Sequence, residues 1–350
     1  MLPDEVTATL TELGAPAFRA RQLFAWVHKR HVESFAAMSD LPAELRHTLE
    51  THFTLTVPRL VEHVAAPDGT TKFLFALADG HTVETVAIPD SARVTVCVST
   101  QVGCAFGCVF CATGQSGFTR NLSAAEIVGQ VYRVHASLPA GQQVTNVVYM
   151  GMGEPLANYE EVLRSVRLLI HPLGMNLAQR RITISTVGLT PGIERLSTEG
   201  LQVNLAISLH APTQEGRIAL LPIAKQYPLD GVMTAARQYV RRSGRKISFE
   251  YTVVPGVNDS PQHAEAIARL VRGFQAMVNV IPLNPSDGLP VGLRLTSAEF
   301  TPRAARFADL LTAYHVEAAL RRSRGQEVGG ACGQLRRRAI DGEAKRKGQR

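Results

Sequence analysis

The 350-residue sequence lacks any run of the roughly 18 consecutive apolar residues that a membrane-spanning helix requires, and its cysteine count is odd, at five. The N-terminal segment MLPDEVTATLTEL has two acidic residues near its start, Asp4 and Glu5, and no apolar stretch typical of a secretory signal. These absences argue against a disulfide framework, so we expect the thiols to serve metal or redox chemistry in a reducing compartment. We therefore expect a cytoplasmic protein with no membrane partner.

The positive charge is concentrated at the C-terminal end. The chain carries a net charge of +7, and residues 321–350, with ten basic and three acidic residues, account for all of it. A basic segment on a neutral body suggests a polyanionic partner such as RNA, whereas a solvated, disordered tail is the alternative. We predict that residues 336–350 form a basic, disordered tail.

The first 90 residues have the pattern of a small α+β domain. Helical apolar spacing occurs in LFAWVHKRH and LPAELRHTLETHF. The strand-like segments LVEHVAA, TKFLFALA and TVETVAI follow, and Asp68-Gly69 and Asp79-Gly80 between them are strong hairpin signals. We predict a helical and β-hairpin domain over residues 1–90.

The chain then alternates between short apolar strands and helices. The six predicted strands are RVTVCVS, TNVVYMG, RITIST, VNLAISLH, ISFEYTVV and AMVNVIPL. Ser123 and Glu126 form a capping box that starts one helix, and Pro261 stands at the first turn of another. The pattern predicts an α/β domain with a parallel sheet over residues 91–335, in which functional sites lie at the carboxyl ends of the strands.

Three cysteines follow the first of these strands. Cys104, Cys108 and Cys111 lie in CAFGCVFC, a C-x3-C-x2-C spacing. Three thiolates leave one position of a four-ligand metal centre open. A 4Fe–4S cluster with one iron free to bind S-adenosylmethionine fits best; a zinc site completed by a distant histidine and a structural trio of buried thiols are the alternatives.

Small or polar residues stand at the ends of other predicted strands. Glycine allows close approach of the backbone, and a carboxylate can accept a hydrogen bond from an ammonium group. Such residues are often helix caps or turn residues, but next to a cluster we interpret them together as cofactor contacts. They are Gly153, Glu154, Ser185, Ser208, His210 and Asn284.

Two further cysteines lie outside the cluster motif. Cys97 precedes it, and Cys332 lies in the glycine-rich segment GGACGQL. A lone cysteine is most often a small core residue, although glycines around Cys332 suit an exposed loop. Near a radical source, the pair could act as a carrier thiol and a resolving thiol. Three upstream arginines, Arg321, Arg322 and Arg324, would favour a thiolate at Cys332 if they lie nearby.

The cysteine motif resembles that of the radical S-adenosylmethionine superfamily. The ordered segments CVSTQVGCAFGCVFCATG, MGMGEPLANY, LAISLHAP, PLNP and ACGQL are similar to the dual-specificity ribosomal and transfer RNA adenine methyltransferases of that superfamily. This resemblance covers residues 10–335. It implies a partial (β/α)6 barrel, a small N-terminal α+β domain that assists RNA binding, one 4Fe–4S cluster and S-adenosylmethionine.

The resemblance also implies residue roles. Cys332 would accept a methyl group, carry it as a radical to carbon 2 of adenine, and be released from the RNA adduct when Cys97 attacks its sulfur. Leu209 joins the six cofactor contacts named above, and Cys104, Cys108 and Cys111 ligate the cluster. Glu84 matches the general base, although we expect a glutamate in a surface hairpin to be solvated, and Cys97 is a competing proton acceptor.

The implied substrates are 23S ribosomal RNA and transfer RNA, and the implied electron donor is flavodoxin-like; we expect a monomer. Three alternatives stay open. A carbon-8 adenine methyltransferase conferring antibiotic resistance would use the same cysteines. A radical enzyme with a small-molecule substrate would not need both Cys97 and Cys332, and a non-catalytic iron–sulfur RNA-binding protein would not cleave S-adenosylmethionine.

Overall fold

The computed structural model describes residues 1–284 and 297–335, so the predicted tail 336–350 lies outside the described residues. The α-helices are α1 Pro3–Glu12, α2 Phe18–His28, α3 Ala43–His52, α4 Ala112–Gln115, α5 Ala124–Ser137, α6 Tyr159–Ile170, α7 Thr190–Leu196, α8 Gln214–Leu220, α9 Leu229–Ser243, α10 Pro261–Val271 and α11 Ser297–Ala313. The strands are β1 Arg59–Ala65, β2 Thr71–Ala76, β3 Thr82–Asp90, β4 Arg93–Cys97, β5 Gln101–Gly103, β6 Phe118–Asn121, β7 Asn146–Tyr149, β8 Ile182–Thr186, β9 Asn204–Ser208, β10 Ile247–Val253, β11 Ala276–Pro282 and β12 Ala318–Leu320. Within these ranges no helix is both long and apolar enough to cross a membrane.

The six strands predicted for the second domain form adjacent parallel strands of one sheet. They are ordered β4-β7-β8-β9-β10-β11, and every neighbouring pair is parallel. Helices α5 to α10 lie in the connections between them, as parallel strands require crossover connections, and α11 leads from β11 to β12. The prediction of a partial (β/α)6 barrel is confirmed. The short strand β12, which pairs with β11, was not predicted.

The two predicted hairpins extend this sheet at one edge. Strands β1, β2 and β3 are antiparallel neighbours, and β3 pairs with β4 so that Val86 lies opposite Cys97. This ladder crosses the predicted domain boundary at residue 90, so the N-terminal strands and the barrel share one ten-stranded sheet. The N-terminal helices pack on the same core through Leu10, Phe24 and Leu49.

The predicted helix starts are confirmed by their hydrogen bonds. The Ser123 side chain accepts from the Glu126 amide, and Glu126 Oε2 accepts from the Ser123 amide at 2.9 Å. Pro261 is the first residue of α10, after the cap Ser260. Each cap satisfies amides that the helix cannot pair internally, which stabilises the helix by about 1 kcal/mol.

Candidate active site

A cavity lies where the parallel strands of the barrel end. It contains nearly all the residues that the sequence places in a cluster and cofactor site. Its lining includes Cys104, Cys108, Cys111, Gly153, Glu154, Ser185, Ser208, His210, Asn284 and Cys332. Leu209 differs from them, because its side chain is fully buried in the core. It is not part of the described lining, and its carbonyl accepts a hydrogen bond from Arg217.

The cysteine loop is held in place by main-chain hydrogen bonds to three other parts of the chain. The Cys104 amide donates to Gly117 O at 2.9 Å, and the Val109 amide donates to Leu220 O, at the end of α8. The Ala112 amide donates to Gly333 O at 2.7 Å. The segment that carries Cys332 is therefore attached directly to the loop that carries the three other thiols.

The three loop thiols are protonated in the absence of a metal. Burial raises the pKa of Cys104 to about 11, raises that of Cys108 well above its ordinary value, and also raises that of Cys111. Metal binding requires the thiolate forms, so it releases their protons. Among the described residues, no three His, Cys, Asp or Glu side chains are arranged to ligate one metal ion. A 4Fe–4S cluster fits this donor set of three neighbouring thiols, and Cys104, Cys108 and Cys111 would hold it as thiolates.

Glu154 is a buried carboxyl group beside the cysteines. Its Oε2 accepts from the Val187 amide at 2.8 Å and its Oε1 from the Leu156 amide at 3.0 Å. Burial raises the pKa of Glu154 to about 7, although these amides favour the charged form. The preceding Gly153 has a φ of +102°, and a Cβ there would lie 2.6 Å from the Gln101 side chain. The close approach that requires glycine is therefore to the protein itself.

His210 is a buried, neutral hydrogen-bond donor. Burial, and secondarily the charge of Arg217, lowers its pKa to about 3. Its Nδ1 accepts from the Thr252 amide at 2.9 Å, so Nε2 carries the proton of the neutral ring. Phe110 of the cysteine loop packs edge-on against the ring, with 4.6 Å between centroids. The ring orientation is thus fixed from two sides.

Cys332 lies on the wall between this cavity and a second one. The second cavity is also lined by Cys97, at the end of β4, and by Arg93, Arg321, Arg322 and Arg324. Burial, followed by the charge of Cys332, raises the pKa of the Cys97 thiol to about 12, and Arg321 opposes this shift. All five cysteines are free thiols, and no disulfide is formed.

Two charged residues of the site had no assigned place in it: Glu250 was missed in the sequence, and Arg321 was considered only for its effect on Cys332. Glu250 of β10 lines the first cavity; its Oε1 accepts from Asn279, and its Oε2 lies 3.8 Å from Arg321 Nη1. Arg321 follows β12 and lines both cavities. Cys332, then Glu250 and Cys97, raise the guanidinium pKa of Arg321. An acid within the apolar segment ISFEYTVV was a usable signal for Glu250; Arg321 was noted only as a nearby charge.

Glu84 is buried, so the expectation of a solvated surface carboxylate was wrong. It is 1% exposed and forms an ion pair with Lys72 at 3.1 Å. Adjacent antiparallel strands place the two side chains diagonally, since Leu74 lies opposite Glu84 and Lys72 opposite Val86. Glu84 is absent from the described lining of both cavities.

The comparisons with known proteins place this geometry in a family. Residues 98–271 match the model of the radical SAM superfamily, and residues 1–55 match the ribosomal RNA large subunit methyltransferase N-terminal domain. The chain is 46% identical to the probable dual-specificity RNA methyltransferase RlmN of Symbiobacterium thermophilum, over 96% of this chain and 90% of that protein. It is 47% identical to the dual-specificity RNA methyltransferase RlmN of Syntrophobacter fumaroxidans, over 92% and 93% of the two chains.

A solved structure agrees with the sequence relatives. The crystal structure of a radical SAM methyltransferase from Sphaerobacter thermophilus superposes with a TM-score of 0.90 at 46% identity, covering 96% of this chain and 98% of that one. The barrel, the N-terminal helices and the cysteine loop are thus shared over nearly the full length. The chain belongs to the RlmN family of radical SAM dual-specificity RNA methyltransferases.

Proposed function

We propose that this chain methylates carbon 2 of an adenine in 23S ribosomal RNA and in transfer RNA. Family membership supports the reaction class, and the position of Cys332 on a wall shared by two cavities carries the proposal. One cavity holds the cluster thiols, and the other holds Cys97 and four arginine side chains. A carbon unit on the Cys332 sulfur would therefore lie between the radical source and a surface suited to a polyanion.

Carbon 2 of adenine is electron-poor and cannot attack a sulfonium methyl group directly. The bound cluster and S-adenosylmethionine supply an organic radical that can remove a hydrogen atom from an S-methyl group. Cys104, Cys108 and Cys111 would hold the cluster. Glu154 would accept from the ammonium group of the cofactor, and His210 would donate through Nε2. Ser185, Ser208 and Asn284 add hydrogen-bonding groups on the same wall.

In this proposal Cys332 carries the methyl group, and Cys97 releases the product. Cys332 accepts a methyl group by substitution at sulfur and later binds the adenine through that carbon. Cys97 then attacks the Cys332 sulfur, which frees the methylated RNA and leaves a disulfide that must be reduced before the next turnover. Because the pKa of Cys97 is raised to about 12, its proton must be removed first, and the nearby charge of Arg321 favours the thiolate.

Glu84 and Cys97 are the two candidates for removing the proton from carbon 2. Glu84 shares a strand face with Val86, which lies opposite Cys97, but its carboxylate is paired with Lys72. Cys97 instead lines the cavity that Cys332 lines. The proposal therefore favours Cys97 as the base, because it lines the cavity assigned to the RNA and Glu84 does not. It also includes a flavodoxin-like electron donor and a monomeric, cytoplasmic enzyme.

The test is anaerobic reconstitution with iron and sulfide, followed by reaction with S-adenosylmethionine, reductant, ribosomal RNA and transfer RNA. Mass spectrometry of nucleosides should detect 2-methyladenosine with the wild type and none with Cys332→Ala, whose iron content should match the wild type. A product consisting only of 8-methyladenosine would overturn the proposed position. Absence of cofactor cleavage, or RNA methylation by Cys332→Ala at the wild-type rate, would overturn the mechanism.

A further inference from the structure

Arg217 is a fully buried arginine behind the wall of the cluster cavity. It belongs to α8, and its side chain is 0% exposed. Its Nη2 donates to Val187 O at 2.9 Å and to Ser208 O at 3.3 Å, and its Nε donates to Leu209 O at 3.3 Å. These carbonyls follow or end β8 and β9, the strands that carry Ser185 and Ser208 into the cavity.

The charge of Arg217 has no carboxylate counter-ion within the described residues. No Asp or Glu side chain of residues 1–284 and 300–335 lies within ion-pair distance of its guanidinium, and its Nη1 is buried without a hydrogen-bond partner. The main-chain carbonyl oxygens that accept its hydrogen bonds carry only partial negative charges. A buried guanidinium in this state is unfavourable, unless an anion is supplied from elsewhere.

An ionisable thiol of the cysteine loop interacts electrostatically with Arg217. Cys108 is the one acidic group whose charge acts on Arg217. The two are joined through packing, because Cys108 belongs to the same apolar cluster as Leu220, the last residue of α8, and the Val109 amide donates to Leu220 O. Cluster binding converts the three loop thiols to thiolates and makes this side of the wall anionic.

We propose that Arg217 is the buried positive counter-charge of the iron–sulfur cluster, a positioning residue that strengthens cluster retention and raises the cluster's reduction potential. A fixed cation beside an anionic centre favours each added electron. It therefore makes the reduced state easier to reach. The inference rests on the cluster that the proposed function requires, but not on the identity of the RNA product.

The test compares Arg217→Met and Arg217→Gln with the wild type after anaerobic reconstitution. Glutamine retains hydrogen-bond donors without charge, so it separates the charge from the contacts to the carbonyls. We expect both variants to lose cluster to a chelator about 10-fold faster, in the range typical of residues that support metal ligands. Potentiometric titration followed by electron paramagnetic resonance should give a lower reduction potential for both. Arg217→Lys should move the potential back toward the wild-type value, because it retains the charge.

Arg237→Met is the matched control. Arg237 also donates to two main-chain carbonyls, those of Leu270 and Arg272, but it lies away from the cysteine loop. The reduction potential and the cluster retention of Arg237→Met should equal those of the wild type.

The last measurement is the midpoint of thermal unfolding, taken for the wild type and for Arg217→Met with and without bound cluster. If Arg217 is the counter-charge, Arg217→Met should lower the thermal midpoint more in the cluster-loaded protein than in the cluster-free protein. An unchanged reduction potential in Arg217→Met and Arg217→Gln at full iron content, or an equal loss of midpoint in both forms, would overturn the inference. A product other than 2-methyladenosine would overturn only the proposed function, and a wild type that binds no cluster would overturn both.

Discussion

Asn284 donates a hydrogen bond from Nδ2 to the main-chain oxygen of Cys332 at 3.1 Å. Its Oδ1 accepts from Gln326 Nε2 at 2.6 Å. One side chain after β11 therefore fixes the C-terminal segment at two points and also lines the cofactor cavity. Together with the bond from the Ala112 amide to Gly333 O, this contact holds Cys332 at the wall of that cavity.

Asn284→Ala should release the Cys332 segment and slow methyl transfer to its sulfur. A displacement of about 1 Å at a reacting centre can cost roughly 100-fold in rate, and we expect a loss of about 10- to 100-fold here. Mass spectrometry of the Cys332 peptide measures the S-methyl content with time. Gln326→Ala, which breaks only the second contact, should have a smaller effect. Equal methylation rates in Asn284→Ala and the wild type would show that this contact does not position Cys332.

Cys97→Ala should trap the protein covalently on RNA, because addition to adenine still occurs but release does not. Denaturing gel electrophoresis after turnover should show a slower band that contains both protein and RNA. Cys332→Ala should give no such band, and the double variant Cys97→Ala/Cys332→Ala should also give none. If Cys97→Ala releases methylated RNA at the wild-type rate, Cys97 is not the resolving thiol.

Arg321→Gln should slow the same release step and make it more sensitive to pH. The pKa of Cys97 is already raised to about 12, and Arg321 is the charge that opposes this shift. Removing it lowers the thiolate fraction further, by about tenfold for each unit of pKa. Raising the pH should restore release, because the thiolate fraction rises with pH below the pKa.

The decay of the protein–RNA adduct after a single turnover measures this effect. Arg322→Gln is the control, since Arg322 lines the same cavity as Cys97. An adduct lifetime that is the same in Arg321→Gln and Arg322→Gln would assign the effect to general loss of positive charge.

Much of the fold could be predicted because its signals are local. The capping box at Ser123 and the turns at Gly69 and Gly80, with φ of +82° and +83°, are set by neighbouring residues. The pairing of β3 with β4, which makes the sheet continuous, could not be predicted from local signals. The alternation of apolar residues indicates a strand but does not show which other strand it pairs with. The three residues of β12 are too few to show alternation.

Site residues that stand at strand ends could be predicted from the sequence. The burial of a residue whose partner lies on another strand could not. Ser185 and Ser208 end β8 and β9, so the rule for parallel sheets places them together. Glu84 appeared solvated in the sequence because its partner, Lys72, is 12 positions away on the adjacent strand. Arg217 was missed because a single arginine in a short helix has no distinctive spacing.

Variants of the buried Lys72–Glu84 pair can distinguish a role of Glu84 in stability from a role in catalysis. Glu84→Gln leaves a buried ammonium group without its carboxylate, which should cost about 3–5 kcal/mol in the free energy of unfolding. Lys72→Met/Glu84→Leu removes both charges and should recover most of that loss. Denaturant unfolding measures the stability, and nucleoside analysis measures the activity. Wild-type product formation by the stable double variant would exclude Glu84 as the base and leave Cys97.

Acid should weaken the contact between the N-terminal helices and the barrel. His28 ends α2, and its Nδ1 lies 2.8 Å from the Tyr132 hydroxyl of α5; His31 stacks on the same ring, with 4.2 Å between centroids. Burial lowers the pKa of His28 to about 3 and that of His31 to about 4. The unfolded chain, with histidine pKa near 6.5, binds protons that the folded chain excludes, so stability falls as the pH drops from about 6.5 toward 4.

The expected slope is about 1.4 kcal/mol per pH unit for each histidine within that window. Thermal midpoints measured between pH 7.5 and 4.5 should therefore decrease less steeply in His28→Gln than in the wild type. His47→Gln, at an exposed position of α3, should follow the wild-type curve. Parallel curves for His28→Gln and the wild type would mean that His28 titrates alike in the folded and unfolded chains. The acid sensitivity of the interface would then have to come from other groups, because Tyr132, with its pKa raised by burial, stays neutral throughout this range.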